Sequence, residues 1–248
     1  MTIEEANAYG RELEQLLKLR TRPVALKMLK SEAEEPAGAL RPKPDNGNHL
    51  AFCQAVSLAR RQGLTVAMFK EDHWCFAPLL AYGITPDPDD EFIRMVSGFP
   101  RLPYGSHAGT VVGPLDAANY EPDVVLLYVD PAQLRRLLVS IKMSGDGPVK
   151  GEYDPIDSCA WSVVPVLETG EYRVTVPDPG EHARAAASDD EMVFSLPGGK
   201  LAGLVEGLRK TEERERANPW REIEMRPDFP RPEFYDRVFK GWGLDTSQ

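Results

Sequence analysis

The sequence lacks the short motifs that identify the common enzyme classes. It contains no GxxxxGK[ST] phosphate loop, no GxGxxG after an apolar run, no GxSxG and no HExxH. CxxC is also absent, which argues against a thioredoxin-like dithiol and against a zinc ribbon. Any chemistry of this chain must therefore come from residues that are separated in sequence and brought together by the fold.

Long apolar runs and an excess of basic charge are absent as well. No apolar run approaches the ~20 residues of a membrane-spanning helix, and the acidic N-terminal segment has no signal-peptide core. We therefore expect a cytoplasmic protein with reduced cysteines and no membrane partner. The net charge is −10 and the basic residues are scattered, which argues against a nucleic-acid partner.

The three cysteines are the most informative residues that are present. Cys53, Cys75 and Cys159 lie within the apolar or aromatic runs AFCQAV, DHWCFAP and DSCAWSV. Three thiolates far apart in sequence can converge on one metal centre and leave a coordination position open, which suits catalysis or substrate binding. The alternative is that each cysteine is a small buried hydrophobe.

Two kinds of metal centre fit these ligands. His73 precedes Cys75 by two residues, so a Cys3His zinc site is chemically possible, although structural zinc sites usually pair their ligands as C-x2-4-C. A three-cysteine iron–sulfur cluster of the 4Fe-4S type would instead leave one iron free. Such an iron can act as a Lewis acid, or the cluster can relay electrons. We expect the cluster, with zinc as the alternative cofactor.

Two loops supply candidate substrate-binding residues. In PDPGEHAR, Pro179-Gly180 predicts a tight turn, and His182 and Arg184 could present positive charge to an anionic group. A solvated hairpin loop is the alternative for this segment. His107 lies in the glycine-rich run PYGSHAG, and loops of that kind often carry binding residues.

The hydrophobic pattern predicts helices and strands that alternate in part. Thr2 and Glu5 form a capping-box pattern at the start of a helix, and Pro131 opens another helix. The runs PVALKML, LTVAMF and VVLLYV read as strands, and YRVTV with EMVFSL reads as a hairpin-like pair. We predict a single α/β or α+β domain over residues 1–217, with a mixed, largely buried central sheet flanked by helices.

The C-terminal segment, residues 218–248, is rich in proline and aromatic residues. We predict that this tail packs on the domain. A homodimer is the default expectation for a chain of this size.

Four runs resemble one family when they are taken together. They are RPVALKM, FCQAVSLARRQG, KEDHWCFAPLLAYG and DPGEHARAAASDDEMVFSLP, and they resemble the uncharacterised DUF169 family, also labelled ArCR. The resemblance spans roughly Leu13 to Leu208 and lends no activity. It implies that Cys53, Cys75 and Cys159 occupy motif positions of the family. Members of the family look common in anaerobic bacteria and archaea, which would suit an oxygen-sensitive cluster.

These observations give one functional prediction and two alternatives. We predict a cytoplasmic iron–sulfur protein, an enzyme of the lyase, hydratase or oxidoreductase kind. It would act on a small anionic or oxygen-bearing molecule, or relay electrons to a redox partner protein. One alternative is a metal-free small-molecule-binding or accessory protein with buried structural cysteines, and the other is a Cys3His zinc protein.

Overall fold

The structure is a computed structural model that describes residues 1–217 and 233–244. The helices are α1 (Ile3–Leu17), α2 (Pro42–Asn46), α3 (Phe52–Ser57), α4 (Phe76–Ala81), α5 (Glu91–Val96), α6 (Pro131–Met143), α7 (Ser158–Thr169), α8 (Pro179–Arg184), α9 (Leu201–Ala217) and α10 (Glu233–Gly241). The strands are β1 (Val24–Leu29), β2 (Val66–Phe69), β3 (Gly109–Pro114), β4 (Val124–Val129), β5 (Lys150–Gly151), β6 (Arg173–Thr175) and β7 (Met192–Pro197).

The described strands form one seven-stranded sheet in the order β2-β3-β1-β4-β7-β6-β5. All neighbouring strands pair antiparallel except β5 and β6, which pair parallel. All six residues of β4 are buried, as the uninterrupted run VVLLYV predicts for a strand covered on both faces. The predicted α/β fold with a mixed, largely buried sheet is therefore confirmed.

Alternate residues of the strands face two different helical layers. On β1, Ala25 and Leu29 pack in one core with apolar residues of α1, α6 and α9. Val24, Leu26 and Met28 face the opposite core, which contains apolar residues of α3, α4 and α7. This period of two follows from strand geometry, and it produces three layers in the order helix, sheet, helix.

The helix starts that the sequence predicts are present. The Thr2 hydroxyl accepts a hydrogen bond from the Glu5 backbone N–H, and the Glu5 carboxylate accepts one from the Thr2 backbone N–H, which completes the capping box of α1. Pro131 occupies the first turn of α6, and Asp130 caps that helix. These local signals are reliable because they satisfy backbone groups that a helix leaves unpaired.

Three segments differ from the prediction. The expected helix over His49–Gly63 begins at Phe52, and it continues from Leu58 to Gln62 as a π-helix that ends at Gly63 with φ of 74°. The expected loop between residues 30 and 47 contains α2. Pro179-Gly180 was predicted to form a tight turn within a hairpin loop, but it opens α8, because Asp178 accepts a hydrogen bond from the Glu181 N–H and caps the helix.

The described chain belongs to two compact units, residues 1–212 and residues 213–248. In the second unit, the aromatic rings of α10 lie along the helix, and the centroids of Phe234 and Tyr235 are 4.6 Å apart. Residues 218–232 of the proposed tail lie outside the described residues, so its packing stays a prediction. Among the described helices, none has the length and apolar character that crossing a membrane requires.

Candidate functional site

The three cysteines line one cavity. Cys53 is the second residue of α3, Cys75 caps the start of α4, and Cys159 is the second residue of α7. All three side chains are half-buried, and the cavity has a volume of about 290 Å³. The remaining lining residues are Ala51, Phe52, Pro78, Ile156, Asp157, Asp178, Pro179, Gly180 and Arg184.

The cysteines meet because the helices that carry them share one layer and begin at the same place. The helices α3, α4 and α7 all pack against the same face of the sheet. The first residues of α8 line the cavity as well. The backbone N–H groups at a helix start favour negative charge, and here α7, with 12 residues, is the longest of these helices. The helix starts therefore place partial positive charge around the three thiols.

The environment holds the free cysteines in the thiol form. Burial raises the pKa of Cys53 to about 12, assisted by the carboxylate of Glu181 and opposed by Arg184. Burial also raises the pKa of Cys159 well above its usual range, and the neighbouring Cys75 adds to the effect. The pKa of Cys75 is raised by burial and lowered by a hydrogen bond from the Ala77 backbone. Three thiolates can therefore coexist here only with a positive centre among them.

Arg184 is the lining residue that brings positive charge to the cavity. Its guanidinium carbon lies 4.8 Å from the centroid of the exposed Trp74 ring, a cation–π distance. Gly180 makes room for this group, because a Cβ at Gly180 would lie 2.3 Å from an Arg184 guanidinium nitrogen. The fork of N–H donors suits a carboxylate or a similar planar anion.

Two aspartates form the acidic side of the cavity. Asp178 accepts hydrogen bonds from the Ser158 N–H at 3.1 Å and from the Ser158 hydroxyl at 3.0 Å, which ties the starts of α7 and α8 together. Asp157 has a left-handed backbone conformation with φ of 60°. Burial raises the pKa of Asp157 to about 6, and the charge of Asp178 contributes to the shift.

A buried polar network supports the cavity from behind. Glu181 accepts a hydrogen bond from the Tyr128 hydroxyl at 2.6 Å, and its other carboxylate oxygen shares the single Ser158 hydroxyl proton with Asp178. Burial raises the pKa of Glu181. The guanidinium carbon of Arg60 lies 3.8 Å from the Tyr128 ring centroid, and Arg60 forms a bidentate ion pair with Glu191 at 2.9 and 3.1 Å. The start of α7 is thus anchored to the sheet and to α8.

The structure separates the predicted binding residues. Arg184 lies in the cysteine cavity, but His182 does not line it. The His182 Nδ1 atom is 3.2 Å from the Ala187 carbonyl oxygen and 3.7 Å from an Asp189 carboxylate oxygen. His107 lines a different cavity.

His73, the fourth ligand of the zinc alternative, is buried but is not a lining residue of the cysteine cavity. Neither of its ring nitrogens has a hydrogen-bond partner among the described residues. Burial lowers the pKa of His73 to about 4, so the imidazole is neutral at physiological pH. Within residues 1–217 and 233–244, no three His, Cys, Asp or Glu side chains are arranged to share one metal ion.

Comparison with known proteins places the chain in a family. The model of DUF169, described as uncharacterised ArCR, matches residues 12–207. The chain belongs to the DUF169 family. This confirms the resemblance that the sequence motifs predicted over nearly the same residues.

A relative in an archaeon extends this similarity. An uncharacterized protein of Methanocaldococcus jannaschii is 25% identical over 227 residues, which cover 84% of this chain and 95% of the relative. No solved structure shows a significant match. The cavity geometry therefore has to be interpreted from this DUF169 protein itself.

Sequence reasoning missed Asp157, Asp178 and Gly180 as cavity residues. The sequence did indicate the role of Asp178. In the run Asp-Pro-Gly-Glu, Asp178 stands three residues before Glu181, which is the spacing of a helix N-cap. Asp157 stands two residues before Cys159, but no local pattern shows where it points. Gly180 matters only because Arg184 folds back over it.

Proposed function

We propose that this DUF169 protein binds an iron–sulfur cluster through Cys53, Cys75 and Cys159 and uses it on a small anionic or oxygen-bearing molecule. The observation that supports the proposal is the convergence of all three cysteines of the chain on one cavity, from three different helices. A three-cysteine cluster has one iron without a thiolate ligand, and that iron supplies Lewis-acid or electron-transfer chemistry.

The donor set fits such a cluster in two respects. Each cysteine of a cluster binds a different iron, so the cysteines need not be grouped around a single ion as zinc ligands are. The raised pKa values of the three thiols mean that the cavity without a metal strongly disfavours three negative charges. A cationic iron–sulfur core would remove this penalty, since metal binding releases the thiol protons.

The other cavity residues have separate roles in the proposal. Arg184 binds and orients the carboxylate or similar anion of the substrate, while the Trp74 ring and the small Gly180 hold its guanidinium in place. Asp178 fixes the starts of α7 and α8, so that Cys159 and Arg184 keep their relative positions. Phe52 and Pro78 form an apolar wall of the cavity.

The proposal also includes a cellular location and a redox partner. A cluster with an open iron is oxygen-sensitive, which suits a cytoplasmic protein of an anaerobic organism. If the cluster relays electrons, the physiological partner is a redox protein that docks at the mouth of the cysteine cavity. The exposed side chain of Ile156 lines the cavity, and the exposed Trp74 ring lies against Arg184 of its lining.

A zinc site is the second candidate, and one observation favours it. His73 is buried with two unpartnered ring nitrogens and stands two residues from Cys75. Histidine nitrogen is a common zinc ligand, and a buried imidazole without partners is costly. This candidate requires His73 to turn toward the cysteine cavity, which it does not line.

The test is the iron, sulfide and zinc content of the full chain purified without oxygen, compared with single variants. The proposal predicts about four iron and four sulfide per chain, and a loss of most of both in Cys53→Ser, Cys75→Ser and Cys159→Ser. His73→Gln should keep its iron. Ser162→Ala, a buried change on the same helix as Cys159, is the matched control and should also keep it.

Three results would contradict the proposal. The first is folded protein without iron, although iron and sulfide were supplied during growth and reconstitution. The second is stoichiometric zinc without sulfide that is lost in His73→Gln, which would establish the zinc candidate. The third is iron that survives every Cys→Ser change.

A further inference from the structure

A second cavity lies at the far end of α7 and is independent of the cysteines. It has a volume of about 770 Å³, within the range of small-molecule sites. Leu167, near the end of α7, forms part of its wall, whereas Cys159 is at the start of that helix. The two residues are eight positions apart in the helix, or about 12 Å at 1.5 Å per residue. The lining residues are Lys27, Met28, Lys30, Glu34, Leu102, His107, Asp123 and Leu167.

The geometry fixes the protonation pattern of His107. Its Nε2 atom lies 3.0 Å from Lys30 Nζ, and its Nδ1 atom lies 2.9 Å from the Ser106 hydroxyl oxygen. An ammonium group can only donate, so Nε2 accepts from Lys30 and the ring proton sits on Nδ1. Burial and the charge of Lys30 lower the pKa of His107, which keeps the ring neutral.

Lys30 brings a positive charge that no carboxylate of the described residues neutralises by an ion pair. Its ammonium donates to the Ser106 carbonyl oxygen at 2.9 Å and to His107, and both acceptors are neutral. An ammonium has three N–H donors, so one remains for a ligand. A lysine without an ionic partner, held toward a cavity in a chain of net charge −10, is a binding feature for an anion.

The acidic and apolar residues narrow the class of that anion. Glu34 accepts from the Lys30 backbone N–H and Asp123 from the Met28 backbone N–H, both at 2.8 Å, so each carboxylate is fixed at the cavity. Lys27 and Lys30 balance these two carboxylates in the lining, so the cavity matches a singly charged anion better than a doubly charged phosphate. Met28, Leu102 and Leu167 provide an apolar wall. We propose that this cavity binds a small organic monocarboxylate, with the carboxylate on the free N–H donor of Lys30 beside His107 and a short apolar chain against Leu102 and Leu167.

The test is a titration of the full-length protein with butyrate, followed by the NMR signals of the His107 ring. We expect saturable changes at His107. Lys30→Met should weaken butyrate binding about tenfold or more, since it removes the charged donor. Lys70→Met, which removes the same charge from an exposed lysine outside the cavity, should bind as the wild type does. Thermal unfolding confirms that each variant is folded.

Two further measurements distinguish this site from the cysteine cavity and from a phosphate-binding site. Arg184→Gln should leave the butyrate response of His107 unchanged, whatever the metal content proves to be. Inorganic phosphate should bind more weakly than butyrate. The inference is overturned by a lack of saturable butyrate binding, by Lys30→Met binding as tightly as wild type, or by phosphate binding more tightly than butyrate.

Discussion

The chemistry of the cysteine cavity depends on single residues that set its charge. Cys53 is the clearest case, because burial raises its thiol pKa to about 12 while Arg184 acts in the opposite direction. The free thiol is therefore a poor nucleophile, since the thiolate is the reactive form. This argues against a cysteine-nucleophile mechanism for the metal-free protein.

The first prediction concerns the reactivity of Cys53. In folded, metal-free protein at pH 8, we expect iodoacetamide to modify Cys53 roughly a hundredfold or more slowly than in urea-unfolded protein. Arg184→Met should slow the reaction further, because it removes the positive charge beside the thiol. Arg184→Lys, which keeps a charge, is the control. Mass spectrometry of the Cys53 peptide gives the rates, and rapid modification of the folded protein would refute the pKa assignment.

The second prediction concerns His73 and the pH dependence of stability. The folded-state pKa of His73 is lowered to about 4, whereas an unfolded histidine titrates near 6.5. Between these values the unfolded chain binds a proton that the folded chain does not. Stability is therefore lost as the pH falls through this window, by about 3 kcal/mol in total.

The variant His73→Leu tests this assignment. In metal-free protein, wild type should lose unfolding free energy as the pH falls from 6.5 to 4, and His73→Leu should be spared this part of the loss. The unfolding free energy of the variant should therefore rise relative to that of wild type over this pH range. At pH 8 the variant should be at least as stable as wild type, because two unpaired buried nitrogens are removed. Urea titrations at several pH values measure the difference, and a difference that does not change with pH would contradict it.

At the scale of elements, the buried ion pair between Arg60 and Glu191 joins the π-helix after α3 to the start of β7. Both side chains are almost fully buried, and Arg60 also covers the Tyr128 ring. A buried pair adds little stability by itself, but the removal of one partner leaves a charge without compensation. This network lies directly behind the start of α7.

The third prediction follows from that burial. Arg60→Met should lower the unfolding free energy by about 3–5 kcal/mol, and adding Glu191→Leu should recover much of the loss. Arg209→Met, which breaks the ion pair with Glu12 on the surface, should cost less than about 1 kcal/mol. Chemical denaturation measures all three variants. Equal losses for Arg60→Met and Arg209→Met would show that the interior pair is not isolated from water.

Local sequence signals predicted those elements whose stability is local. The Thr2 and Glu5 capping box, the proline that opens α6 and the apolar run of β4 each determine structure within a few residues. The segment around Pro179 was misjudged, because a proline and a glycine are compatible with both a turn and a helix start. The capping of Glu181 by Asp178 decides between them.

The cavities could not be predicted in the same way. Cys53, Cys75 and Cys159 are far apart in sequence, and their convergence depends on how α3, α4 and α7 pack against the sheet. The separation of His107 from Arg184 has the same origin, since the two residues lie beside opposite ends of α7. Which residues share a cavity depends on packing between segments that are far apart in sequence. A single sequence does not show which of these segments pack together.

At the scale of the whole molecule, the three-layer fold presents two cavities on one face of the sheet. Tyr82, which follows α4, contacts the residues of both. Its hydroxyl donates to the Cys159 carbonyl oxygen at 2.9 Å, and its backbone acts on the His107 ring to raise the pKa of His107, against the larger effect of burial. Tyr82 thus reaches the start of α7 with its side chain and the histidine of the second cavity with its backbone.

The central claim is that three cysteines hold a cluster with one open iron, and Mössbauer spectroscopy of the iron-57-labelled protein tests it most directly. The protein should be purified without oxygen and measured with and without a small carboxylate. We predict three irons in one class and a fourth that differs and responds to the carboxylate, because only that iron lacks a thiolate. Four equivalent irons that ignore the carboxylate, or folded protein that contains no iron, would contradict the account.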